Sequence, residues 1–399
     1  MKRHVWVLTD RIDFANDNGE HLFRYLQENR PNVKSVYVLS SKAPDWDRLR
    51  KEFGGAVVAF GSLRWLYFVN RARVIISSHL GPRIFMKERW ARHLLFRARF
   101  VYLGHGVGRG DKLRVLSQYP IDLFLVSSRE ELEHYKGAES QSRLHSTRVV
   151  RTGLARWDRL RFLADQRALN QSDLILLAPT WRLGPWIELP GFRLRRPIQI
   201  ALLRETEWYK NWLELCNSTQ LRELARKSGQ QVVFLLHPAF SALLRNDETN
   251  MFGAHVRVES FFGSDAQQLI CQSSVLITDY SSVAHDAALI GVPIVYFHFE
   301  GQVSNGNVMN SFVDLESHGI GPVATDLEGV VYEVAELSLN GFVMAAEFFD
   351  RRGEFVSGLP AEIRPIVTQE IESLLMSQQP SLAKVKCSSK NSSNLQDLD

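Results

Sequence analysis

The chain has few cysteines, no long apolar run and little net charge. Its three cysteines, Cys216, Cys271 and Cys387, are scattered and odd in number, so they indicate neither a disulfide framework nor a zinc site and favour a reducing compartment. No stretch approaches the ~18 uninterrupted apolar residues of a membrane span, and the apolar run at the N-terminus is too short for a signal peptide. The formal net charge of +4 is too small to indicate nucleic-acid binding by itself. These absences favour a cytoplasmic protein and leave contact with a membrane surface open.

What the chain does contain is typical of a globular protein with two domains. At 399 residues, 45% hydrophobic and 23% charged, it is long enough for two separate cores. Short apolar runs alternate with helical patterns, which predicts parallel sheets covered by helices. The predicted strands are residues 5–8, 36–39, 56–60, 74–76, 100–103 and 123–126, then 174–178, 232–236, 256–258, 275–277 and 294–297. Two such series predict an α/β fold of the GT-B type, in which two Rossmann-like domains with parallel sheets face a central cleft.

The two series also predict the domain limits. We expect one Rossmann-like domain over residues 1–155 and a second over residues 170–335, joined by the segment between them. Residues 336–376 are predicted to form helices, broken near Gly353 and Pro360, that pack back across the domains. Residues 377–399 are rich in Ser, Lys, Asn and Gln, which predicts a disordered tail.

Residues 275–297 are the most informative stretch. The apolar run at 275–277 predicts a buried strand, and a polar loop leads from it into a helix that starts near Val283 and stops at Gly291 and Pro293. The loop carries an acid, a phenol and two hydroxyls: Asp279, Tyr280, Ser281 and Ser282. Serines at a helix start are most often caps, but the first-turn N–H groups and the helix dipole there also favour an anion.

This loop, followed by Asp286 in the helix, resembles the hallmark of the CDP-glycerol glycerophosphotransferase family, the teichoic-acid primases and polymerases. Further short motifs follow in the family's order: Asp17-Asn18-Gly19, Ser77-Ser78, Gly104-His105-Gly106, Ala178-Pro179-Thr180-Trp181-Arg182 and His237-Pro238. Residues 152–158 resemble the family's interdomain turn, although Ala155 stands where the family usually has proline. The resemblance covers about residues 4–330. It implies an N-terminal acceptor domain and a C-terminal nucleotide-donor domain.

Two histidines follow predicted strands in opposite domains. His105 comes after residues 100–103, where parallel sheets open their binding crevices, between glycines that leave its ring unobstructed. Such a histidine either satisfies its own loop or takes a proton from an attacking hydroxyl. His237 follows residues 232–236, and the resemblance places it at the donor pyrophosphate, where a protonated ring would offset the charge of the leaving phosphate; a bond to backbone is the alternative. We predict that both are catalytic.

The other predicted site residues lie at the same cleft, Asp286 on the helix after Ser282 and the rest on loops. Donor or phosphate binding is predicted for Thr180, Arg182, Asp279, Ser281, Ser282 and Asp286. The planar guanidinium of Arg182 suits phosphate, whereas the Asp286 carboxylate would repel it and would rather hold ribose hydroxyls or orient a neighbour. Asp17, Asn18 and Gly19 precede a helical pattern over residues 20–27, and most simply cap that helix. Because their loop opens toward the same cleft as His105, they are also predicted as acceptor or cleft residues.

Residues 83–99 form a basic and aromatic segment in which Glu88 is the single acid. Three interpretations are open: a solvated helix with one buried face, an interfacial helix on anionic lipid, or a groove for a polyanionic acceptor. The resemblance favours the last two, because the family works on lipid-linked polymers at the inner face of the membrane. Membrane or polymer contact is therefore predicted for Arg89, Trp90, Arg92 and Arg97.

Together the sequence and the resemblance predict a transferase. It would move a glycerol-phosphate, or similar polyol-phosphate, from a CDP-activated donor to a hydroxyl of a teichoic acid or capsule polymer and release CMP. It would act at the inner membrane surface on an anionic, lipid-linked acceptor, and not on nucleic acid. Two alternatives are a GT-B glycosyltransferase that uses a nucleotide sugar for capsule or lipopolysaccharide, and a non-catalytic basic module that binds membrane or nucleic acid. The second domain has no evident Asp-x-Asp pair, so no metal site is predicted, although a weakly held Mg²⁺ is compatible with the sequence.

Overall fold

The computed structural model describes residues 4–81, 98–108, 112–137, 144, 147–167, 173–180, 196–237, 240, 243–244, 250–260, 264–299 and 315–377. The strands are β1 Val5–Thr9, β2 Ser35–Leu39, β3 Val57–Ala59, β4 Ala72–Ser77, β5 Arg99–Tyr102, β6 Leu123–Val126, β7 Arg148–Arg151, β8 Leu174–Leu177, β9 Gln231–Leu236, β10 Val256–Ser260, β11 Ser273–Thr278, β12 Ile294–Phe297 and β13 Val323–Ala324. The helices are α1 Asn18–Asn29, α2 Trp46–Phe53, α3 Leu63–Asn70, α4 Leu113–Leu116, α5 Arg129–Lys136, α6 Trp157–Gln166, α7 Arg196–Arg204, α8 Glu207–Asn217, α9 Thr219–Lys227, α10 Ala266–Gln272, α11 Val283–Leu289, α12 Leu315–His318, α13 Leu327–Leu339, α14 Ala346–Val356 and α15 Ile363–Met376. Two 3₁₀ turns occupy Gly54–Ala56 and Asn250–Phe252.

The described strands form two parallel sheets, one in each domain. The first has seven strands in the order β3-β2-β1-β4-β5-β6-β7, and the second has six in the order β10-β9-β8-β11-β12-β13. In both sheets the strand order reverses in the middle, at β1/β4 and at β8/β11. The loops after such neighbouring strands run to opposite faces and leave a crevice at the carboxyl ends. Each sheet therefore offers one crevice, and the residues after these four strands are the first candidates for a site.

The local sequence explains these strands because helices cover both faces of each sheet. Strands buried on both faces read as continuous apolar runs without alternation, and every residue of β1, β2 and β11 is buried. All eleven predicted strands form. Two strands were missed: β7, in which Val149 is flanked by arginines and only one of four residues is buried, and the two-residue β13.

One hydrophobic cluster runs through both domains. It contains Leu8 of the first sheet and Leu176 of the second, and between them Trp157 of α6 and Ile363 of α15. Two further clusters each belong to one sheet. Asp158 fixes the start of α15, since its carboxylate accepts the backbone N–H of Ile363 at 2.8 Å. The connecting helix α6 and the final helix α15 thus join the two sheets.

The helices after β13 differ in part from the prediction. The predicted break near Gly353 is wrong, because α14 continues through that residue; glycine inside a helix costs only about 1 kcal/mol and does not end it. The break falls instead at Gly341 and Phe342, whose φ angles are 67° and 57°. The break near Pro360 is confirmed. The helix α14 contacts α11, and α15 contacts α1 and α6.

Two sequence predictions bear on the chain end and on membranes. The predicted tail lies outside the described residues, apart from Ser377. None of the helices in the described part of the chain is long and apolar enough to cross a bilayer.

Candidate active site

The crevice of the first sheet is built around the buried carboxylate of Asp10, which follows β1. It accepts hydrogen bonds from the backbone N–H of Asp17, Gly19 and Glu20, at 3.2, 2.7 and 3.0 Å. A Cβ on Gly19 would lie 2.5 Å from Asp10 Oδ1 and 2.6 Å from the Thr9 carbonyl oxygen, so only glycine fits. The first-turn donors of α1 are the groups that bind phosphate in many Rossmann-like domains. Here the Asp10 carboxylate of the protein itself accepts the hydrogen bonds of these donors.

Asp17, the N-cap of α1, binds two histidines through one oxygen. His105 Nδ1 lies 2.5 Å from Asp17 Oδ2, and His79 Nε2 lies 3.2 Å from the same atom. The two imidazole rings are 4.0 Å apart between centroids. A carboxylate only accepts hydrogen bonds, so each of these ring nitrogens carries a proton. The opposite nitrogen of His105, Nε2, is then the atom that can take a proton, and the His105 side chain is 45% exposed.

Burial and neighbouring charges fix the protonation states of Asp17 and His79. Burial alone would raise the pKa of Asp17, but His105, His79 and Arg156 outweigh it and hold the pKa well below its usual value. Burial and the nearby His105 lower the pKa of His79 to about 3. Arg11 Nε donates to His79 Nδ1 at 3.2 Å, which suits a neutral ring. Asp17 is therefore ionised and His79 neutral at physiological pH.

In the second sheet, Asp279 joins the ends of the neighbouring strands β8 and β11. Its Oδ1 accepts the backbone N–H and the hydroxyl of Thr180 at 2.7 and 2.5 Å, and the N–H of Tyr280 at 2.7 Å. Asp279 is fully buried, and the Tyr280 ring stacks on His298 at 4.0 Å. The predicted residues Thr180 and Asp279 therefore lie together. Asp279 shapes the loop at this crevice.

The two crevices meet at Gly106 and Ser282. A Cβ on Gly106 would lie 2.3 Å from Ser282 Oγ, so the His105 loop contacts the start of α11 directly. Ser282 is the N-cap residue of α11 but makes no side-chain capping bond; Ser281 Oγ instead accepts the N–H of Val283 at 3.3 Å. Of the two serines that could cap α11, Ser281 is thus the one whose side chain does so.

His237 follows β9 and comes from the second domain to the same cleft. Burial lowers its pKa to about 4, and Arg11 and His105 of the first domain add to this shift. The two histidines predicted from opposite domains are therefore near enough to interact electrostatically. The ring of His237 is neutral at physiological pH in the ligand-free protein, and the protonated ring expected beside the donor pyrophosphate stays a prediction.

Asp286 orients its neighbours, which is one of the two roles that the sequence leaves open for it. Its carboxylate accepts from Arg156 Nη2 at 3.2 and 3.0 Å and from the Trp157 indole at 2.5 Å. The residue is 6% exposed. A carboxylate engaged by these donors is not presented to a ribose.

One group of side chains could hold a metal ion. Asp17, His79 and His105 offer ligand atoms that all lie within 4.8 Å of one another. Mg²⁺ prefers six oxygen ligands, which two imidazoles do not supply, and the guanidinium groups of Arg11 and Arg156 lie beside the cluster. The described residues thus do not suit Mg²⁺ at this position.

Several predicted residues lie outside the described part of the chain: Arg182 of the donor site and Arg89, Trp90, Arg92 and Arg97 of the basic segment. Arg99, the last residue of that segment, starts β5 and forms an ion pair with Asp122 at 2.6 Å. Arg99 thus has a partner inside its own domain.

The sequence interpretation missed four members of the site: Asp10, Arg11, His79 and Arg156. Asp10 and Arg11 follow β1 and His79 follows β4. These are the two strands at the first reversal of strand order, so the strand-end rule that selected His105 applies to all three. Arg156 lies within the interdomain turn at residues 152–158, which the sequence indicates only as a connection between the domains. Its partners lie 139 and 130 residues away, and no local pattern indicates them.

The fold and the site together define a class: a two-domain α/β protein with a histidine–aspartate pair in the cleft between its parallel sheets. A family model described as CDP-glycerol:poly(glycerophosphate) glycerophosphotransferase matches residues 2–356. The chain belongs to this family, as its motifs indicated.

A curated relative and several solved structures are also similar. The chain is 26% identical over 362 residues to the minor teichoic acid biosynthesis protein GgaB of Bacillus subtilis (strain 168), over 89% of this chain and 38% of that protein. It therefore spans well under half of the length of this relative.

The wall teichoic acid polymerase TagF superimposes with a TM-score of 0.63 at 14% identity, over 95% of this chain and 90% of that one. A TagF variant soaked for 30 minutes with CDPG gives a TM-score of 0.62 at 16% identity, over 94% and 89%. The UDP-GlcNAc 2-epimerase of Neisseria meningitidis gives 0.53 at 11% identity, over 94% and 100%. These likenesses establish the fold, and the predicted GT-B architecture is confirmed.

Proposed function

We propose that this chain transfers glycerol phosphate, or a similar polyol phosphate, from a CDP-activated donor to a hydroxyl of a cell-surface polymer. The observation that carries the proposal is the His105–Asp17 pair in a chain of this family. In this pair His105 Nδ1 is hydrogen-bonded to the Asp17 carboxylate, and Nε2 is left able to take a proton. The pair lies where the first domain meets the second. That is the arrangement of a general base that acts on a hydroxyl.

In the proposed reaction the acceptor hydroxyl gives its proton to His105 Nε2. Its oxygen attacks the β-phosphorus of the donor, and the bond from that phosphorus to the bridging oxygen breaks. The electron pair leaves with CMP. Asp17 holds the ring in the required tautomer and stabilises the charged imidazolium that forms.

The donor belongs to the second domain in this proposal. Asp10 already occupies the first-turn donors of α1, so the first sheet does not offer the usual phosphate site. Ser282 and His237 face the His105 loop from the second sheet. A neutral His237 can donate an N–H to a phosphate oxygen, and Arg182 would add a bidentate contact. Charge on the transferring group is then offset by fixed donors.

The proposal is tested with CDP-glycerol, CMP-sugars and UDP-sugars, each with a poly(glycerol phosphate) acceptor. We expect acceptor-dependent CMP release from CDP-glycerol alone, and a ~10²–10⁴-fold loss of rate in His105→Ala. Release of nucleotide from a sugar donor only would identify a glycosyltransferase instead. Turnover that survives in His105→Ala would refute the role of the histidine. Dialysis against EDTA, followed by Mg²⁺, would show whether a metal is needed.

We further propose that the protein works in the cytoplasm at the inner membrane surface, on an anionic, lipid-linked acceptor. The basic segment at residues 83–99 supports this. Each Lys or Arg near an anionic surface contributes about 1 kcal/mol, so replacing Arg89, Arg92 and Arg97 by Gln should weaken vesicle binding by roughly 10²-fold. Sedimentation with anionic and neutral vesicles at low and high salt measures this. Equal binding of the variant and the parent would exclude the segment as the contact.

A further inference from the structure

Arg156 lies between one carboxylate from each domain. Its Nη1 donates to Asp17 Oδ1 at 2.9 Å, and its Nη2 donates to the two oxygens of Asp286 at 3.2 and 3.0 Å. The side chain is 11% exposed. Burial alone would lower the pKa of Arg156, but Asp286 and Asp17 outweigh it and raise the pKa. A permanently charged guanidinium thus bridges the start of α1 and the helix α11.

The main chain of Arg156 is also held from both sides. Its N–H donates to Asn18 Oδ1 at 3.1 Å, and its carbonyl oxygen accepts from Gln267 Nε2 at 2.8 Å. Asn18 belongs to α1 of the first domain, and Gln267 to α10 of the second. Arg156 therefore cannot shift relative to either domain without loss of buried hydrogen bonds.

The same guanidinium contacts both parts of the proposed base. Nη1 donates to the carbonyl oxygen of His105 at 2.5 Å as well as to Asp17 Oδ1. Asp17 Oδ2 is left for the His105 ring. One cation therefore fixes the backbone of the histidine and the carboxylate that orients its ring.

We propose that Arg156 is a positioning residue, which makes the orientation of the His105 ring depend on contact between the two domains through Asp286. The inference rests on the proposed role of His105 as the base. When the domains separate, Asp286 moves away with α11 and the guanidinium loses its second anchor. The histidine–aspartate pair is then held in its catalytic arrangement only when the donor domain is closed against it.

Arg156 forms ion pairs with a carboxylate of each domain. Its loss would free Asp17 Oδ1 and the carbonyl oxygen of His105, so the Asp17 carboxylate would no longer be held with Oδ2 toward the His105 ring. Loss of the Asp286 charge would remove the second anchor of the guanidinium and loosen the same contacts to a smaller extent.

The test is an NMR spectrum of the imidazole nitrogens of His105 in the full chain, recorded in alkaline buffer, with the signals assigned by their absence in His105→Asn. The nitrogen shifts report which ring nitrogen carries the proton. We expect the parent to hold it on Nδ1, which faces Asp17, Arg156→Met to lose this preference, and Asp286→Asn to lose part of it. In Arg156→Lys the rate of CMP release from CDP-glycerol should fall ~10-fold, because an ammonium cannot bridge two carboxylates as a planar fork does.

Arg159→Met is the matched control. Arg159 lies one turn further along α6 and pairs with Asp265 at the start of α10, with Nη1 3.0 Å from Oδ1. Equal changes in Arg159→Met and Arg156→Met would indicate general loosening and overturn the proposal, as would a parent-like tautomer in Arg156→Met. If Arg156→Met does not fold, Asp286→Asn decides, and an unchanged tautomer there would overturn the proposal. Because the ring spectrum needs no substrate, failure of the proposed transfer would be seen separately, as absence of CMP release by the parent protein.

Discussion

Replacing Asp17 by asparagine should abolish transfer by reversing the tautomer of His105. Arg156 Nη1 donates to Asp17 Oδ1, and the histidines lie on Oδ2. An asparagine at this position must therefore present its carbonyl oxygen to the arginine and its NH₂ group to the rings. The His105 nitrogen that faces it then becomes an acceptor, and the proton moves to Nε2. A ring protonated at Nε2 cannot accept the proton of the acceptor hydroxyl.

The size of the effect follows from the tautomer. In serine proteases the same Asp-to-Asn change beside the catalytic histidine lowers kcat by about 10⁴-fold, and we expect ~10³–10⁴-fold here, or about 4–5 kcal/mol of transition-state stabilisation. Folding should survive, because Arg156 keeps Asp286 as a charged partner. Donor affinity should change less than about threefold, since the proposed donor groups lie on the second sheet.

The assay is steady-state CMP release from CDP-glycerol at saturating acceptor. Asp45→Asn is the control: Asp45 accepts the N–H of Ala15 at 3.0 Å and pairs with Arg48 beside the same loop, away from the histidines. It should keep its kcat within about twofold. An Asp17→Asn protein that retains kcat within tenfold of the parent would refute the role given to the carboxylate.

Four further substitutions address the donor side, the contact between domains and stability. His237→Ala and Ser282→Ala should each weaken binding of CDP-glycerol by about 1–2 kcal/mol in calorimetry, and the two losses should not add if both residues contact one pyrophosphate. Gly106→Ala places a Cβ 2.3 Å from Ser282 Oγ and should lower turnover at least tenfold, since the two loops must move apart. Glu20, whose pKa is held at about 2 by its arginine partners against the effect of burial, should contribute about 3 kcal/mol above pH 4.5 that is lost as the pH falls to about 2. In urea unfolding, Glu20→Gln should be less stable than the parent at pH 7, and the difference should shrink to less than half by about pH 3.

Each of these has a result that would contradict it. Unchanged CDP-glycerol affinity in both donor-side variants would restrict His237 and Ser282 to structural roles. Gly81, with nothing within 4 Å of an added Cβ, is the control for Gly106, and equal effects of the two alanines would show that contact with Ser282 is unimportant. A stability difference for Glu20→Gln that does not shrink in acid would show that the arginine pairs are not its source.

The sequence alone determined the strands and many of the site residues. Apolar runs such as the one in β11 form strands because a chain buried on both faces must be apolar throughout, and that requirement can be read locally. The same holds for the loop after β11 and the helix that follows it. The strand β7 was not predicted because its two valines, Val149 and Val150, stand between arginines. The predicted helix break at Gly353 was wrong because glycine weakens a helix without ending it.

Only the tertiary structure decided how the site residues are paired. Asp17 and His105 are 88 residues apart, and Arg156 lies 130 residues from Asp286. Ion pairs of this kind depend on which strand ends and helix starts the two sheets bring together. Protonation is decided at the same level, because burial and neighbouring charge make His237 neutral where the isolated side chain would titrate near neutrality. A sequence specifies which groups are available, whereas their charges and partners arise when distant segments exclude water from one cleft.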